Sequence, residues 1–185
     1  MNSVYLPRNT YILSNDLLIL LFHIAQLWVN LPAKYKLTPP KYQPILKEDI
    51  KTVQMDDDSG SIRIIAGSFD KVQGPASTFT PIDVWDILIK KIMKFSIPEG
   101  KTTIVFVRKG SVKVCNDRVI QSPNVVLLSN KGEGITLEPM TDEETFVLLL
   151  SGDPINEPIA ARGPFVMNTD QELYQAMADF QSGKF

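Results

Sequence analysis

Between residues 97 and 150, short apolar runs alternate with clusters of Gly, Asn, Pro and acidic residues. Residues 102–107, 111–115, 119–120, 125–128 and 146–150 are rich in β-branched residues or leucine. Arg108-Lys109-Gly110, Asn116-Asp117-Arg118, Ser122-Pro123-Asn124, Lys131-Gly132-Glu133-Gly134 and Asp142-Glu143-Glu144 separate them. Runs of this length read as strands, because a helix needs about ten residues of sustained 3.6-residue periodicity. Strands this short cannot cover both faces alone, so the pattern predicts two sheets packed face to face, an all-β sandwich or small barrel.

Upstream the pattern is more mixed. Residues 61–66 read as a strand ending at Gly67, and 94–97 as one closed by Pro98-Glu99-Gly100. Residues 84–93 fit a helix as well as a strand. Residues 17–22 (Leu-Leu-Ile-Leu-Leu-Phe) read as part of a buried strand pair, and 26–31 as a strand ended by Pro32, which cannot donate to a ladder. Residues 1–16 are expected to form an extended, poorly fixed arm. Residues 34–44, with Pro39, Pro40 and Pro44, read as an extended linker with polyproline-like stiffness. Residues 46–50 predict one helical turn. Near the end, Thr169-Asp170-Gln171-Glu172 is a capping box, followed by an apolar stripe of Leu173, Ala176, Met177 and Phe180 and then Gly183. A terminal helix with a core-facing stripe follows.

Length and composition suit one ordinary core: 185 residues, 44% hydrophobic and 22% charged. A net charge of −2 argues against direct nucleic-acid binding, which needs a basic face. The apolar stretch 17–29 is interrupted by His23 and Gln26. It is shorter than the roughly 20 residues a membrane-spanning helix requires, so no membrane role is expected. Arg8 alone makes a poor export-signal n-region.

Candidate chemistry is sparse. One cysteine, Cys115, excludes an internal disulfide and fits a reducing, cytoplasmic setting; following Val112 and Val114, it reads as a half-buried packing thiol. One histidine, His23, excludes a Cys/His zinc set from this chain alone and reads as a packing residue rather than a catalytic base. Asp56-Asp57-Asp58-Ser59-Gly60 lacks the alternate-position spacing of a calcium loop and reads as an exposed hairpin turn.

Several blocks together resemble the pirin family. Residues 26–32 (Gln-Leu-Trp-Val-Asn-Leu-Pro) and 39–43 (Pro-Pro-Lys-Tyr-Gln) look like the junction between the two halves of a pirin. Ile65-Ala66-Gly67 and Thr78-Phe79-Thr80-Pro81 resemble the start of the second half. Residues 152–159 (Gly-Asp-Pro-Ile-Asn-Glu-Pro-Ile) and 163–169 (Gly-Pro-Phe-Val-Met-Asn-Thr) are similar to its closing signature. The resemblance covers residues 24–185. It implies a cupin, a double-stranded β-helix of jelly-roll type, with a C-terminal helix. The expected organisation is a divergent arm and remnant last strand of a first cupin (1–31), a Pro-rich linker (32–44), the C-terminal cupin (45–162), and a closing strand with the terminal helix (163–185).

The resemblance also implies that family iron sits in the first cupin, held by a His-x-His pair and a later His-x-Glu pair. Here the sequence departs from the pattern, because the chain begins almost at the junction. His23 resembles the family's non-ligand histidine, and the usual glutamate position of the second cupin falls on Thr103. No catalytic residue, metal ligand or cofactor site is therefore expected, and no iron. Some pirins resemble quercetin 2,3-dioxygenases, whose chemistry needs that metal. The expectation is a non-catalytic regulatory or protein-interaction role, resembling a transcriptional co-regulator or a regulator of metabolic enzymes. It would be cytoplasmic, or also nuclear in a eukaryote, with self-association and an unidentified protein partner. The expected interaction surface is Leu20, Phe22, Leu27, Trp28, Phe165 and Met167, apolar positions that the family buries between its halves. Two alternatives stand: a quercetin 2,3-dioxygenase-like pirin whose metal site comes from a missing domain or another chain, and a truncated gene product without independent function.

Overall fold

The computed structural model describes residues 25–184 in full, and residues 2–5, 8–14 and 17–23 as backbone strands. The chain forms two compact units, residues 43–154 and residues 1–42 together with 155–185.

In the second of these, β1 (Asn2–Tyr5) pairs with β4 (Gln26–Val29), and β2 (Arg8–Ser14) with β3 (Leu17–His23), all antiparallel. The stretch expected to be a loose arm thus contains two paired strands. The residues 17–22 form a strand as expected; the burial expected of their side chains lies outside the described residues. The linker expectation also needs correction. Ala33–Tyr35 is a 3₁₀ turn, with the Tyr35 N–H donating to the Pro32 carbonyl at 2.8 Å, so residues 33–38 are turn rather than extended linker, and residues 39–46 carry no regular element. Proline at the position before the turn supplies a free carbonyl and a fixed φ without needing a donor.

Residues 43–154 build the sandwich. Its strands are β5 (Thr52–Gln54), β6 (Gly60–Ala66), the two-residue strands β7 (Ser68–Phe69) and β8 (Val72–Gln73), β9 (Ile82–Ile89), β10 (Met93–Ser96), β11 (Thr102–Lys109), β12 (Ser111–Val114), β13 (Arg118–Gln121), β14 (Asn124–Leu127), β15 (Gly134–Pro139) and β16 (Thr145–Gly152). One sheet has the order β14-β11-β16-β9-β6-β5 and the other β10-β15-β12-β13. The expected jelly-roll sandwich is present, and the ambiguous segment 84–93 is strand to Ile89, then a bend through Lys90 and Lys91 into β10 at Met93. Its periodicity misleads because Val84, Trp85, Asp86 and Ile87 are all buried, so no polar face marks the period of two.

Gly110 is the corner of this fold. β11 and β12 are consecutive but belong to different sheets, and the chain crosses between them at Gly110 with φ +80°. A Cβ there would lie 2.6 Å from Thr145 Oγ1, so only glycine fits both the conformation and the approach.

The hairpin between β5 and β6 carries the three aspartates in its turn, with Asp57 and Asp58 in the left-handed region at φ +56° and +52°. Lys90 Nζ donates to Asp58 Oδ1 at 2.7 Å, and that bond holds the Asp58 carboxyl below the ordinary range. Lys91 Nζ donates to the Asp57 carbonyl. The cluster is a clasp between two strand ends.

The remaining elements are β17 (Ala160–Arg162), β18 (Phe165–Met167) and α1 (Asp170–Gln181). The capping box forms as read: the Glu172 N–H donates to Thr169 Oγ1 at 3.2 Å, and Glu172 Oε2 accepts from the Thr169 N–H at 3.0 Å. Leu173 and Ala176 are buried, Met177 is half-buried, and Phe180 packs edge-on against Phe165 with centroids 5.8 Å apart.

Candidate functional site

In a cupin the chemistry belongs inside the barrel, so the inward faces of the strands decide what this domain can do. β11 alternates cleanly: Thr103, Val105 and Val107 point inward and are 3%, 0% and 0% exposed. Opposite them on β16 stand Ser151, Leu149 and Val147. The interior is completed by Ile62, Ile64, Ile87 and Ile89 from β6 and β9, and by Met93, Phe95, Val112, Ile135 and Leu137 from the other sheet. Phe69, on the hairpin β7–β8, sets its ring edge-on to Trp85 at 5.2 Å and to Phe95 at 6.1 Å. Phe69 and Val72 pack against this core, so the short hairpin contributes to the interior as well. Apart from the Met93 thioether and the hydroxyls of Thr103 and Ser151, these are branched and aromatic side chains with no atom able to ligate an ion.

Polar groups enter this face only near its ends, Thr145 beside the Gly110 corner and Thr103 with Ser151 at the other end. The hydroxyls of Thr103 and Ser151 meet at 3.1 Å, buried, and pair with each other. Asp83, across from Ser151 on β9, accepts from the Ser68 N–H at 3.3 Å and from Lys101 Nζ at 3.5 Å. Asp83 is the one carboxylate here, and a lysine already neutralises it.

The group that the family resemblance brings to mind, iron, can be tested against this donor set. Iron wants several imidazole and carboxylate donors converging on open positions. Among the described residues no three of His, Cys, Asp and Glu come together in a way that could hold a metal ion. The residues present in the sandwich do not fit such a centre. The side chain of His23, and with it the expected packing role, lies outside the described residues.

The opposite face of the six-stranded sheet holds a charge cluster. Asp86, 6% exposed, accepts from Arg63 Nη1 at 3.2 Å and from Arg108 Nη2. The Arg108 guanidinium also lies over the Phe146 ring, 5.6 Å from its centroid. β6, β9 and β11 bring these residues together; one Asp inside the apolar run of β9 was the sequence signal, since a buried carboxylate requires partners.

In residues 1–42 with 155–185, the closing signature has a structural explanation. Glu157 Oε2 accepts from the Ala33 N–H at 2.7 Å and from Asn168 Nδ2 at 3.1 Å. Lys36 Nζ donates to Asn30 Oδ1 at 2.8 Å and to the Val166 carbonyl at 3.2 Å. Burial pulls the Lys36 ammonium below the ordinary lysine range, against the opposing attraction of Glu157 and Glu172. The network ties the turn after β4 to the strand before α1, and leaves the buried Asn168 Oδ1 without a hydrogen-bond partner.

The expected interaction residues divide. Trp28 is 52% exposed on β4, Leu27 is half-buried beside it, and Phe165 and Met167 are half-buried on β18. The side chains of Leu20 and Phe22, on β3, lie outside the described residues. Cys115 is a correction: it is exposed, because β12 ends at Val114 and Cys115 takes a left-handed turn conformation with φ +50°. No described helix is long and apolar enough to cross a membrane.

Comparison with known proteins places this geometry. Residues 84–185 match the pirin C-terminal cupin domain. A crystal structure of quercetin 2,3-dioxygenase from Acinetobacter baumannii is 42% identical with a TM-score of 0.84, over 90% of this chain and 58% of that one. A Pseudomonas aeruginosa protein provisionally named quercetin 2,3-dioxygenase is 41% identical over 164 residues, covering 88% of this chain and 56% of its own length. Human pirin is 31% identical over 166 residues, 88% of this chain and 57% of its own. The chain thus spans a little over half the length of the relatives it matches. With the jelly roll, the closing signature and residues 84–185 in agreement, the chain belongs to the pirin family.

Proposed function

We propose that this pirin-family chain holds no iron of its own and acts by protein contact, in a regulatory rather than a catalytic role. The observation that carries the reading is the donor set: among the described residues no three of His, Cys, Asp and Glu converge to hold a metal ion, and in the sandwich Thr103 pairs with Ser151 rather than offering a carboxylate. The contact surface includes Trp28 and, beside it, Leu27, with Phe165 and Met167 on β18 and Leu20 and Phe22 on β3. It works in the cytoplasm, or in a eukaryote also the nucleus, without direct contact to nucleic acid or membrane; its net charge of −2 fits that setting.

A second reading is favoured by one observation, the 42% identity to the Acinetobacter baumannii quercetin 2,3-dioxygenase. In it, the chain takes part in flavonol oxidation with a metal held by residues beyond these 185. Elemental analysis of the purified chain, loaded with ferrous iron and then desalted, together with a quercetin oxidation assay, separates the two. The expected result is no retained iron and no turnover. Iron at one equivalent with quercetin turnover overturns the first reading.

A further inference from the structure

We infer that β14 is a pairing edge through which two copies of this chain associate. β14 is the outermost strand of the six-stranded sheet and pairs only with β11 among the described strands. The Leu128 N–H donates to the Thr103 carbonyl at 2.9 Å, which makes Thr103 and Leu128 a hydrogen-bonded pair. Antiparallel alternation then assigns the backbone groups of Val126 to Val105 and turns those of Val125 and Leu127 outward. The same two residues expose their side chains, 61% and 66%. An edge with open donors and acceptors and apolar side chains is a template for a further strand.

The occupant best matched to this edge is the edge itself. With Val126 of one copy opposite Val126 of the other, a two-fold axis places Val125 of each copy against Leu127 of its partner. Each of these two cross-axis pairs exchanges both backbone hydrogen bonds, because the outward groups are those of Val125 and Leu127. Their exposed side chains meet on the same sheet face as apolar cross-strand neighbours. Charge does not oppose the approach: residues 122–130 (Ser-Pro-Asn-Val-Val-Leu-Leu-Ser-Asn) contain no charged side chain, where natural edges commonly carry lysine to prevent pairing. A four-residue strand buries less than a permanent interface, so the association is reversible. The inference names a surface for the contact role proposed above without resting on it, since a chain that bound iron would present the same edge.

Sedimentation velocity of the full chain between about 5 and 500 µM tests this. The expected weight-average mass rises from 20.7 kDa toward twice that value. Leu127→Lys, at an exposed position, should move the half-dimer concentration up at least about tenfold with an unchanged thermal melt. Amide exchange on the unmodified chain should slow at Val125 and Leu127 as concentration rises, while Val126 changes little. A mass of 20.7 kDa at every concentration overturns the inference. So does a dimer that ignores Leu127→Lys or leaves the Val125 and Leu127 amides unchanged, which would place the contact on another face. Slowing of these amides only by an added foreign strand peptide would assign the edge to a different protein, and overturns self-pairing too.

Discussion

Thr103 and Ser151 sit directly opposite each other on β11 and β16, their hydroxyl oxygens 3.1 Å apart and their side chains sealed from solvent. Each hydroxyl satisfies the other in a place where water cannot. Removing one partner leaves a buried polar group unpaired, which costs about 1–3 kcal/mol. Thr103→Val and Ser151→Ala should each destabilise by that amount. The double variant should lose less than the sum. Urea denaturation of the four proteins in this cycle measures the coupling.

Asp86 is bound by two arginines on a face with little access to water. Asp86→Asn leaves two guanidinium groups facing a neutral amide. Breaking a buried ion pair by removing one partner costs about 3–5 kcal/mol, so this variant should be among the least stable single substitutions in the domain. Chemical denaturation with CD detection checks it; a loss below about 1 kcal/mol would mean that solvent reaches the cluster.

Gly110→Ala tests the corner between sheets. The new methyl group meets Thr145 Oγ1 and the residue must hold φ +80°, so the loss should exceed about 1 kcal/mol. Gly132→Ala is the control for conformation alone, because its φ is +98° and nothing lies within 4 Å of the added Cβ. The difference between the two variants isolates the packing contribution.

At α1, Thr169→Ala should cost about 1 kcal/mol by removing the cap. The pH dependence follows from Glu172. Hydrogen bonding from the Asn168 N–H, then from Thr169, holds its carboxyl below the ordinary glutamate range. A carboxyl with a depressed folded pKa stabilises above its unfolded pKa, near 4.3, and loses that contribution as pH falls through the lower folded value. Acid unfolding curves should therefore show a steeper loss below about pH 4.3 in the unmodified chain than in Glu172→Gln.

Much of this was legible in the residues. The Thr169 capping box reads directly because its contacts span three positions, and the run of short strands reads from β-branched residues between turn formers. The identity of the sheets does not. Gly110 looks like a simple turn between two strands, and only the pairings of β11 with β16 and of β12 with β15 show that the chain changes layers there. The exposure of Cys115 does not show in the sequence, since nothing local marks where the Val112–Val114 alternation stops and a left-handed turn starts. The Asp86 cluster is not legible because Arg108 and Arg63 lie 22 and 23 residues from Asp86 and reach it through strand register alone. The apolar interior is intermediate: each strand announces an inward face, but that these faces leave no donor set emerges only when the two sheets close.

The aromatic arrangement of the sandwich has a practical consequence. Trp85, 5% exposed among Phe69 and Phe95, and Trp28, 52% exposed on β4, are the chain's two tryptophans. One indole is shielded from a dissolved quencher such as iodide and the other is open to it. The emission that survives quenching therefore reads the state of the sandwich alone, an optical gauge of the core that needs no label.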